Sequence, residues 1–405
     1  MKILMISPHP TYSPRGTPIS VLNRCRALSA LGHEVDLVTY GIGEDVPVPG
    51  LRYLRAPVPG MHQVKVGPSA AKLPLNTAVF ARALMTLLRH PRRYHALHTH
   101  EEAGIFGALV ARVFRLPHIY DMGNDLDAVL GNYGFQPRHP LRKTARLVEN
   151  ITIRSADVVI AHFPSLVVRA REVNPKAWCE VVYNVPLSSR VEPDLVAKYR
   201  DEWTASSKPV VVYTGTLETY QGISNLLDAV ALDSSGYRLV LVGGSVPQQD
   251  AIRAQIRTAQ LGDSVLVAGQ LPSAHIPSCL AAADALVSPR SAGTNTPLKI
   301  FEYMHSGRPI VATRVPSHTT VLDEDIAILT SAAPSELAAA LTKATQGGPA
   351  VDAIGHAARS RAKEHYGATG YVRAIANAYS HIAGFPEAGA VDIGDAIHRL
   401  GRQKI

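Results

Sequence analysis

Three consecutive stretches at the start of the chain decide its fold, and they are Lys2-Ile3-Leu4-Met5-Ile6-Ser7, then residues 18–31, then Glu34-Val35-Asp36-Leu37-Val38-Thr39-Tyr40. The first and third are short runs of apolar, strand-forming residues, whereas the second repeats apolar residues at helical spacing. A strand, a helix and a second strand in this order are typical of a parallel α/β unit.

The same alternation continues along the chain and then starts a second time at Pro209. The first series predicts further strands at 51–56, 95–99, 118–121 and 158–161, with helices near 77–88 and 103–114. The second predicts strands at 210–213, 239–242, 265–268, 285–288 and 310–313, with helices at 223–232, 249–260 and 297–306. We therefore expect two Rossmann-like domains with a ligand cleft between them.

The segment 184–193 contains two prolines and no apolar period, so it is the predicted linker. The predicted domains are residues 1–187 and 188–370, and a helix at about 371–392 is expected to pack on the first. The final residues combine glycine and charge with little to bury, which predicts that the end of the chain is poorly ordered.

The composition indicates a two-domain protein of the reducing cytoplasm. The chain has 405 residues, and its 3 cysteines match neither a disulfide framework nor the spacing of metal ligands. The apolar run that follows Met1 is too short for a secretory signal, and no stretch reaches the roughly 18 apolar residues of a membrane span.

Positive charge is concentrated in the first half of the chain. Residues 1–190 have a net charge of +10 and residues 191–405 one of −2. A dense group lies on a predicted amphipathic helix, namely Arg138, Arg142, Lys143, Arg146 and Arg154. Such a stripe favours contact with an anionic membrane at its cytoplasmic face, and a merely solvated basic face is the alternative. We expect no nucleic-acid partner, because no nucleic-acid motif or base-stacking cluster accompanies the charge.

Residues 288–309 predict a ligand-facing loop that leads into a short helix. Thr296 is a candidate N-cap, Pro297 suits the first helical position and Gly307 suits the position after the end. The exposed N–H groups at the helix start favour a diphosphate, and Glu302 could accept hydrogen bonds from two ribose hydroxyls. The alternative is that Lys299 and Glu302 form an ordinary surface pair over an apolar helix face.

Glycine-rich loops follow the predicted strands of the second series. They are residues 214–222, Gly243-Gly244-Ser245 and Gly269-Gln270-Leu271, and the first series has Gly16 before its first helix. Each loop alone indicates a tight turn, but several at equivalent strand ends favour a phosphate site.

The chain resembles the family-4 glycosyltransferases of the GT-B fold over nearly its whole length. The resemblance rests on Leu28-Ser29-Ala30-Leu31-Gly32-His33-Glu34-Val35, on residues 213–223, and on residues 283–289 followed by Glu302-Tyr303-Met304, Gly307 and Pro309-Ile310-Val311-Ala312. It implies transfer of a sugar, with retention of configuration, from a nucleotide-diphosphate donor to a hydroxyl acceptor, with no cofactor and no obligatory metal. We expect this acceptor to be a glycan, a glycolipid or another glycoconjugate.

By the same resemblance, Glu302 binds the ribose, Gly269 to Leu271 border the base and Thr296 to Lys299 border the diphosphate. Gly16 lies near the donor phosphate or the acceptor. The residues predicted to line the donor site are Gly16, Gly215, Thr216, Gln221, Gly243, Gly269, Gln270, Leu271, Arg290, Thr294, Asn295, Thr296, Pro297, Leu298, Lys299 and Glu302.

The chain departs from the family pattern at four positions. Thr294 replaces a glutamate, Thr216 and Gln221 replace an arginine and a lysine that neutralise the leaving diphosphate, and Gly123 replaces a histidine. Because counter-charge on a leaving group is worth several kcal/mol, other cations must supply it. Lys299 and Arg290 are the candidates, helped by the N–H groups at the helix start.

Residues 98–102 and 118–125 resemble the acceptor side of some family members. His100, Glu101 and Asp121 are the candidate catalytic residues, acting as general base or only positioning the substrate while the leaving phosphate takes the proton. Alternatively, His100 and Glu102 brace the next helix. A metal site at His98, His100 and Glu101 is not expected.

Two other functions remain open at this level. A nucleotide-sugar 2-epimerase would share the architecture but needs acid and base groups around one closed site. A degenerate, non-catalytic partner or nucleotide-sugar sensor is favoured by Thr216, Gln221 and Thr294.

Overall fold

A computed structural model describes residues 1–12, 16–61, 72–132, 134–187, 190–204, 208–233, 236–293 and 296–403. The chain forms two compact units. Unit 1 comprises Met1–Asn184 with Ala368–Ile405, and unit 2 comprises Val185–Gly367.

Two parallel sheets form the centres of the units. The strands of unit 1 are β1 (Lys2–Ile6), β2 (Glu34–Tyr40), β3 (Leu51–Ala56), β4 (Ala96–His100), β5 (His118–Met122), β6 (Val158–Ala161) and β7 (Trp178–Val181). Those of unit 2 are β8 (Val210–Gly215), β9 (Arg238–Gly243), β10 (Val265–Gly269), β11 (Ala285–Ser288), β12 (Ile310–Thr313) and β13 (Ile328–Thr330). The strand orders are β3-β2-β1-β4-β5-β6-β7 and β10-β9-β8-β11-β12-β13, so the two sheets share a Rossmann-like order.

Helices cover the sheets. The helices are α1 (Gly16–Ala30), α2 (Lys72–Arg89), α3 (Gly104–Phe114), α4 (Leu126–Asn132), α5 (Pro140–Ser155), α6 (Pro164–Val173), α7 (Pro193–Trp203), α8 (Ile223–Leu232), α9 (Val246–Thr258), α10 (Ile276–Ala281), α11 (Leu298–Ser306), α12 (Pro316–Thr319), α13 (Pro334–Gln346), α14 (Pro349–His365), α15 (Ala368–Ser380) and α16 (Ile393–Arg402). Among the described residues, none of them has both the length and the apolar character needed to cross a membrane.

Burial on both faces explains why the central strands read as continuous apolar runs. Ile3 to Ile6 of β1 are fully buried, as are Val210 to Tyr213 of β8. Right-handed crossovers place α1 on one face of the first sheet and α2, α3 and α5 on the other. The prediction of two Rossmann-like α/β domains is therefore confirmed.

Three parts of the predicted fold differ from the structure. The helix expected at about 371–392 is α15, which spans Ala368–Ser380 and so ends earlier. The short edge strands β7 and β13 were not predicted, because four and three residues give too little apolar pattern. The expectation of a poorly ordered chain end is wrong for residues 393–402, which form α16. Asp392 caps this helix, Ala396 and Leu400 are buried, and α16 packs against α1 and α15 of the same unit.

Candidate active site

The helix α11 begins one residue later than predicted. Pro297 is the N-cap with ψ near 145°, so its extended backbone ends the loop and Leu298 is the first helical residue. Thr296 was predicted as the cap, but it lies one position too early, and its buried Oγ1 forms no hydrogen bond with the described residues. The end is as predicted, since Gly307 has a φ of +74° and its N–H donates to the Met304 carbonyl.

Lys299 points from the first turn of α11 into the unit rather than into solvent. The residue is 7 % exposed. Its Nζ lies 3.9 Å from the centroid of the Tyr213 ring and donates to Gln221 Oε1 at 3.2 Å. A β-carbon at position 215 would lie 2.8 Å from this Nζ, so Gly215 leaves the room that the amine occupies.

No carboxylate forms an ion pair with Lys299 within the described part of the chain. Burial lowers the pKa of Lys299 well below its usual value and the charge of Arg290 lowers it further, whereas Glu302 acts in the opposite direction. Among the described residues, the near neighbours of this buried amine are therefore a neutral amide and an aromatic ring.

Glu302 lies one turn further along α11 than Lys299. Burial raises its pKa to about 7, and the charge of Lys299 opposes this shift. The side chain lines a small pocket of unit 2 together with Ser273, Ile276, Leu280 and Ser306. A carboxyl group with this pKa can accept or donate a hydrogen bond near neutral pH.

Two loops meet beside Lys299. A β-carbon at Gly222 would lie 2.0 Å from the Pro289 carbonyl oxygen, and the φ of Gly222 is +74°. The Ser291 N–H donates to the Tyr220 carbonyl at 3.0 Å, and the guanidinium of Arg290 lies 5.1 Å from the centre of the Tyr220 ring. These contacts bring the predicted residues Gln221, Arg290 and Lys299 together.

Glycines line the carboxyl ends of β8, β9 and β10. Gly215, Gly243 and Gly269 have φ values of +134°, +116° and +78°. A β-carbon at Gly243 would lie 2.2 Å from the Gly215 carbonyl oxygen, so these two strands approach as closely as only glycine permits. Thr216, Gln270 and Leu271 continue the chain after the strands, with Gln270 exposed, whereas Thr294 and Asn295 lie outside the described residues.

A buried histidine that sequence reasoning missed supports the same strand ends. His318 is fully buried, and its ring bonds to Ser288 Oγ at 2.9 Å and to the Thr313 carbonyl at 2.8 Å. Burial lowers its pKa to about 4, so it is neutral at physiological pH. Its position in the short helix α12, right after β12, gave no signal of this role in the sequence.

The predicted catalytic residues lie in unit 1, where Asp121 is the centre of a buried network. Asp121 is fully buried and accepts from Arg24 Nε at 2.8 Å and from His162 Nε2 at 2.9 Å. Rings of His98 and His100 lie 3.4 Å from the same carboxylate. Burial alone would raise the pKa of Asp121, but the charges of Arg24 and the histidines hold it well below its usual range.

His100 is almost fully buried in this network. Its Nδ1 faces Asp121, and its Nε2 forms no hydrogen bond with the described residues. Burial lowers its pKa well below the usual value. His100 is therefore a neutral, buried imidazole with one nitrogen that has no hydrogen-bond partner among the described residues.

Glu101 forms a second polar group after β4. His9 Nε2 lies 3.1 Å from Glu101 Oε2, and Asn124 donates to Oε1 at 2.7 Å. Burial would raise the pKa of Glu101, but the hydrogen bond and charge of His9 outweigh it and lower the pKa to about 2. A β-carbon at Gly123 would lie 2.6 Å from Glu101 Oε1, so Gly123 leaves space for this carboxylate.

His9, Asn124, His162 and Arg24 were not predicted as site residues, although Asn124 lies in the segment 118–125 that resembles the acceptor side of the family. Gly16 is exposed at the start of α1, and a β-carbon there would meet nothing within 4 Å. It belongs to unit 1, whereas all the other predicted donor residues belong to unit 2.

Two groups in unit 1 have the composition of metal ligands, namely His98 with His100 and Asp121, and His9 with Glu101 and Glu102. In the first, Arg24 and His162 already occupy the Asp121 carboxylate. In the second, His9 and Asn124 bind Glu101, and Lys72 Nζ lies 3.2 Å from Glu102. Hydrogen-bond donors or cations of the protein thus lie beside all three carboxylates of these groups.

Comparison with known proteins identifies the class. Residues 15–184 match the family described as glycosyl transferase 4-like domain, and residues 208–346 match the family described as glycosyl transferases group 1. A 2-deoxystreptamine N-acetyl-D-glucosaminyltransferase of Streptomyces fradiae is 27 % identical over 325 residues, which are 73 % of each chain.

Solved structures show the same fold. Sucrose-phosphate synthase of Thermosynechococcus elongatus has a TM-score of 0.76 and 22 % identity, with 92 % of this chain and 96 % of that chain covered. HepE of Anabaena in complex with UDP and glucose has a TM-score of 0.72 and 20 % identity, with 94 % and 99 % covered. Two Rossmann-like units of this order define the GT-B class of enzymes. The chain belongs to the nucleotide-sugar-dependent glycosyltransferases of GT-B fold and family 4 type.

Proposed function

We propose that this enzyme transfers a sugar, with retention of configuration, from a nucleotide-diphosphate donor bound by unit 2 to a hydroxyl of an acceptor bound by unit 1. The observation that carries the proposal is the buried amine of Lys299 without a carboxylate partner among the described residues. A diphosphate would supply the missing negative charge. The N–H groups at the start of α11 and the glycine ends of β8 and β9 would let its oxygens approach the backbone closely.

In this reaction the bond between the anomeric carbon and the diphosphate oxygen breaks, and a bond from the acceptor oxygen to the same face of that carbon forms. The acceptor proton moves to the leaving diphosphate or to a base in unit 1, for which His100, Glu101 and Asp121 are the candidates. Negative charge grows on the leaving oxygens, so Lys299 and Arg290 take the role of the family's arginine and lysine. Glu302 binds the ribose, and no metal is required in this scheme.

The acceptor is proposed to be a glycan, a glycolipid or another hydroxyl compound that binds near Glu101 and Asp121. The relative from Streptomyces is named for 2-deoxystreptamine, which makes this compound a useful acceptor probe beside lipid-linked sugars. We place the enzyme in the cytoplasm at an anionic membrane surface, because unit 1 holds the excess of positive charge.

Donor binding is tested by thermal shift and by slow hydrolysis with UDP-, GDP-, ADP- and TDP-sugars. UDP-glucose is the first probe, because HepE was solved with UDP and glucose. We expect the nucleotide sugar with one of these bases to stabilise the wild-type chain and to be hydrolysed slowly. Lys299→Met and Glu302→Gln should abolish both the thermal shift and the hydrolysis. Lys343→Met changes an exposed lysine of the same unit and should behave like the wild type. Binding that survives Lys299→Met, or no binding by any of the four nucleotides, would refute the donor site.

A further inference from the structure

Three neighbouring helices form one outer surface of unit 1. The helices α2, α3 and α5 cover the same face of the sheet, and α3 packs against both α2 and α5. Their inner sides fill the core with residues such as Leu75, Val79 and Ile153. The outer sides have a composition that is unusual for a solvated surface.

Large apolar side chains are exposed on all three helices. Each of these helices has two exposed apolar residues spaced four apart, which therefore lie on the same outer side of the helix. The pairs are Leu84 and Leu88, Leu109 and Val113, and Leu147 and Ile151. The exposed fractions are 63 % for Leu88, 64 % for Leu109 and 76 % for Val113. The exposed apolar residues of the three helices are Leu73, Leu84, Met85, Leu88, Leu109, Val113, Leu141, Leu147 and Ile151. An apolar surface of this extent is typical of an interaction site.

The exposed charged side chains of these three helices are all positive. The exposed cations of the three helices are Arg89, Arg112, Lys143, Arg146 and Arg154. The sequences of the same helices contain a single carboxylate, Glu149, which is 1 % exposed. We call the exposed apolar and cationic residues of α2, α3 and α5 the basic apolar face.

We propose that the basic apolar face binds the surface of an anionic lipid bilayer, with its leucines and valines among the acyl chains and its arginines and lysines at the headgroups. The proposal rests on the membrane location in the proposed function and names the surface responsible. Apolar burial and attraction to anionic lipid combine in this mode of binding. A second copy of the chain fits less well, because a two-fold contact would place these cations against each other.

The test measures sedimentation of the full chain with phosphatidylcholine vesicles and with vesicles that also contain phosphatidylglycerol. We expect binding to the anionic vesicles that weakens as salt rises from low to physiological concentration. Leu88→Ser with Val113→Ser should reduce this binding at least tenfold. Arg112→Gln with Arg146→Gln should also reduce it at least tenfold, since each cation at the surface contributes about fivefold.

Matched changes in unit 2 provide the controls. Leu232 and Val246 are 63 % and 67 % exposed, close to the 63 % and 76 % of Leu88 and Val113, so Leu232→Ser with Val246→Ser should leave binding within twofold. Arg257→Gln with Lys343→Gln is the corresponding charge control. Thermal unfolding and the shift with UDP are recorded for every variant, which separates membrane binding from folding and from donor binding.

The outcomes decide between the proposal and its alternatives. Binding that falls in the unit 1 variants and persists in the controls supports the basic apolar face. Anionic binding that no unit 1 variant alters overturns this surface but leaves the membrane location standing, whereas absent binding overturns both. A dimer in light scattering that only Leu88→Ser with Val113→Ser dissociates would assign the face to a second copy and overturn the proposal.

Discussion

At the scale of single residues, the burial of Lys299 destabilises the protein without a ligand, and its amine is the proposed contact for the donor diphosphate. A buried ammonium without a counter-ion is unfavourable, and Gln221 and Tyr213 offset this only in part. Such a group is tolerated where a bound anion completes the site. In the proposed complex, the negative charge of the donor diphosphate would offset this cost.

The first prediction concerns the stability and the nucleotide binding of a variant that lacks the Lys299 amine. Lys299→Met keeps much of the side-chain volume and removes the amine, so the free variant should be at least as stable as the wild type, by up to about 1 kcal/mol. It should nevertheless lose the thermal shift with nucleotide. Chemical denaturation with and without UDP measures both. A variant that is much less stable than the wild type would indicate that Lys299 is only a structural residue.

Glu302 gives the second prediction, which concerns pH. The pKa of Glu302 is raised to about 7 in the folded chain. Between pH 4.5 and 7 this carboxyl is therefore mostly protonated in the folded chain and mostly ionised in the unfolded chain. Its contribution to stability is therefore present at low pH and is lost as the pH rises through about 7. Between pH 5 and 8 the free energy of unfolding should fall by about 2 kcal/mol more in the wild type than in Glu302→Gln. Parallel pH profiles for the two proteins would contradict a raised pKa.

The sequence predicted the types of residue at this site better than their contacts. Glu302 and Lys299 could be placed on one short helix, since helical spacing and a following glycine are local signals. The hydrogen bond between Lys299 and Gln221 joins residues 78 positions apart and depends on how two loops meet, so no local pattern encodes it. The cap was misplaced at Thr296 because the pattern does not show whether Pro297 is the first helical residue or the residue before it.

At the scale of elements, the last helix, α16, is ordered although its apolar pattern in the sequence is weak. Ile393, Ala396, Ile397 and Leu400 repeat at helical spacing after the N-cap Asp392, which was the signal that glycine and charge obscured. Gln403 also accepts from and donates to Arg26 of α1. By contrast, the strand of three residues at β13 has no pattern of its own and is fixed by pairing with β12.

The third prediction tests the anchoring of α16. Leu400→Ala should lower the free energy of unfolding of unit 1 by about 2 to 3 kcal/mol, because Leu400 is buried and its removal leaves a cavity. His398→Ala changes an exposed residue of the same helix and should have little effect. Denaturant unfolding followed by circular dichroism makes the comparison. Equal stability of the two variants would show that α16 is loosely attached.

At the scale of the whole molecule, the chain divides its work between two units with different charge and different predicted ligands. The residues predicted to bind the donor, other than Gly16, lie in unit 2, and the buried network around Asp121 and the basic apolar face lie in unit 1. A ligand that binds only the folded form of one unit stabilises that unit by mass action. If the donor binds unit 2, it should therefore slow the hydrogen exchange of amides in unit 2.

The fourth prediction is that nucleoside diphosphate slows hydrogen exchange in unit 2 and not in unit 1. At a concentration of about 100 times Kd, the stabilisation is about 2.7 kcal/mol, so amides of β8 and β11 that exchange through unfolding of the unit should slow by about 100-fold. Amides of β1 and β4 should exchange as before, and Lys299→Met should remove the difference. Equal slowing in both sheets would mean that the units unfold together, whereas slowing confined to unit 1 would place the nucleotide on the wrong unit and refute the donor assignment.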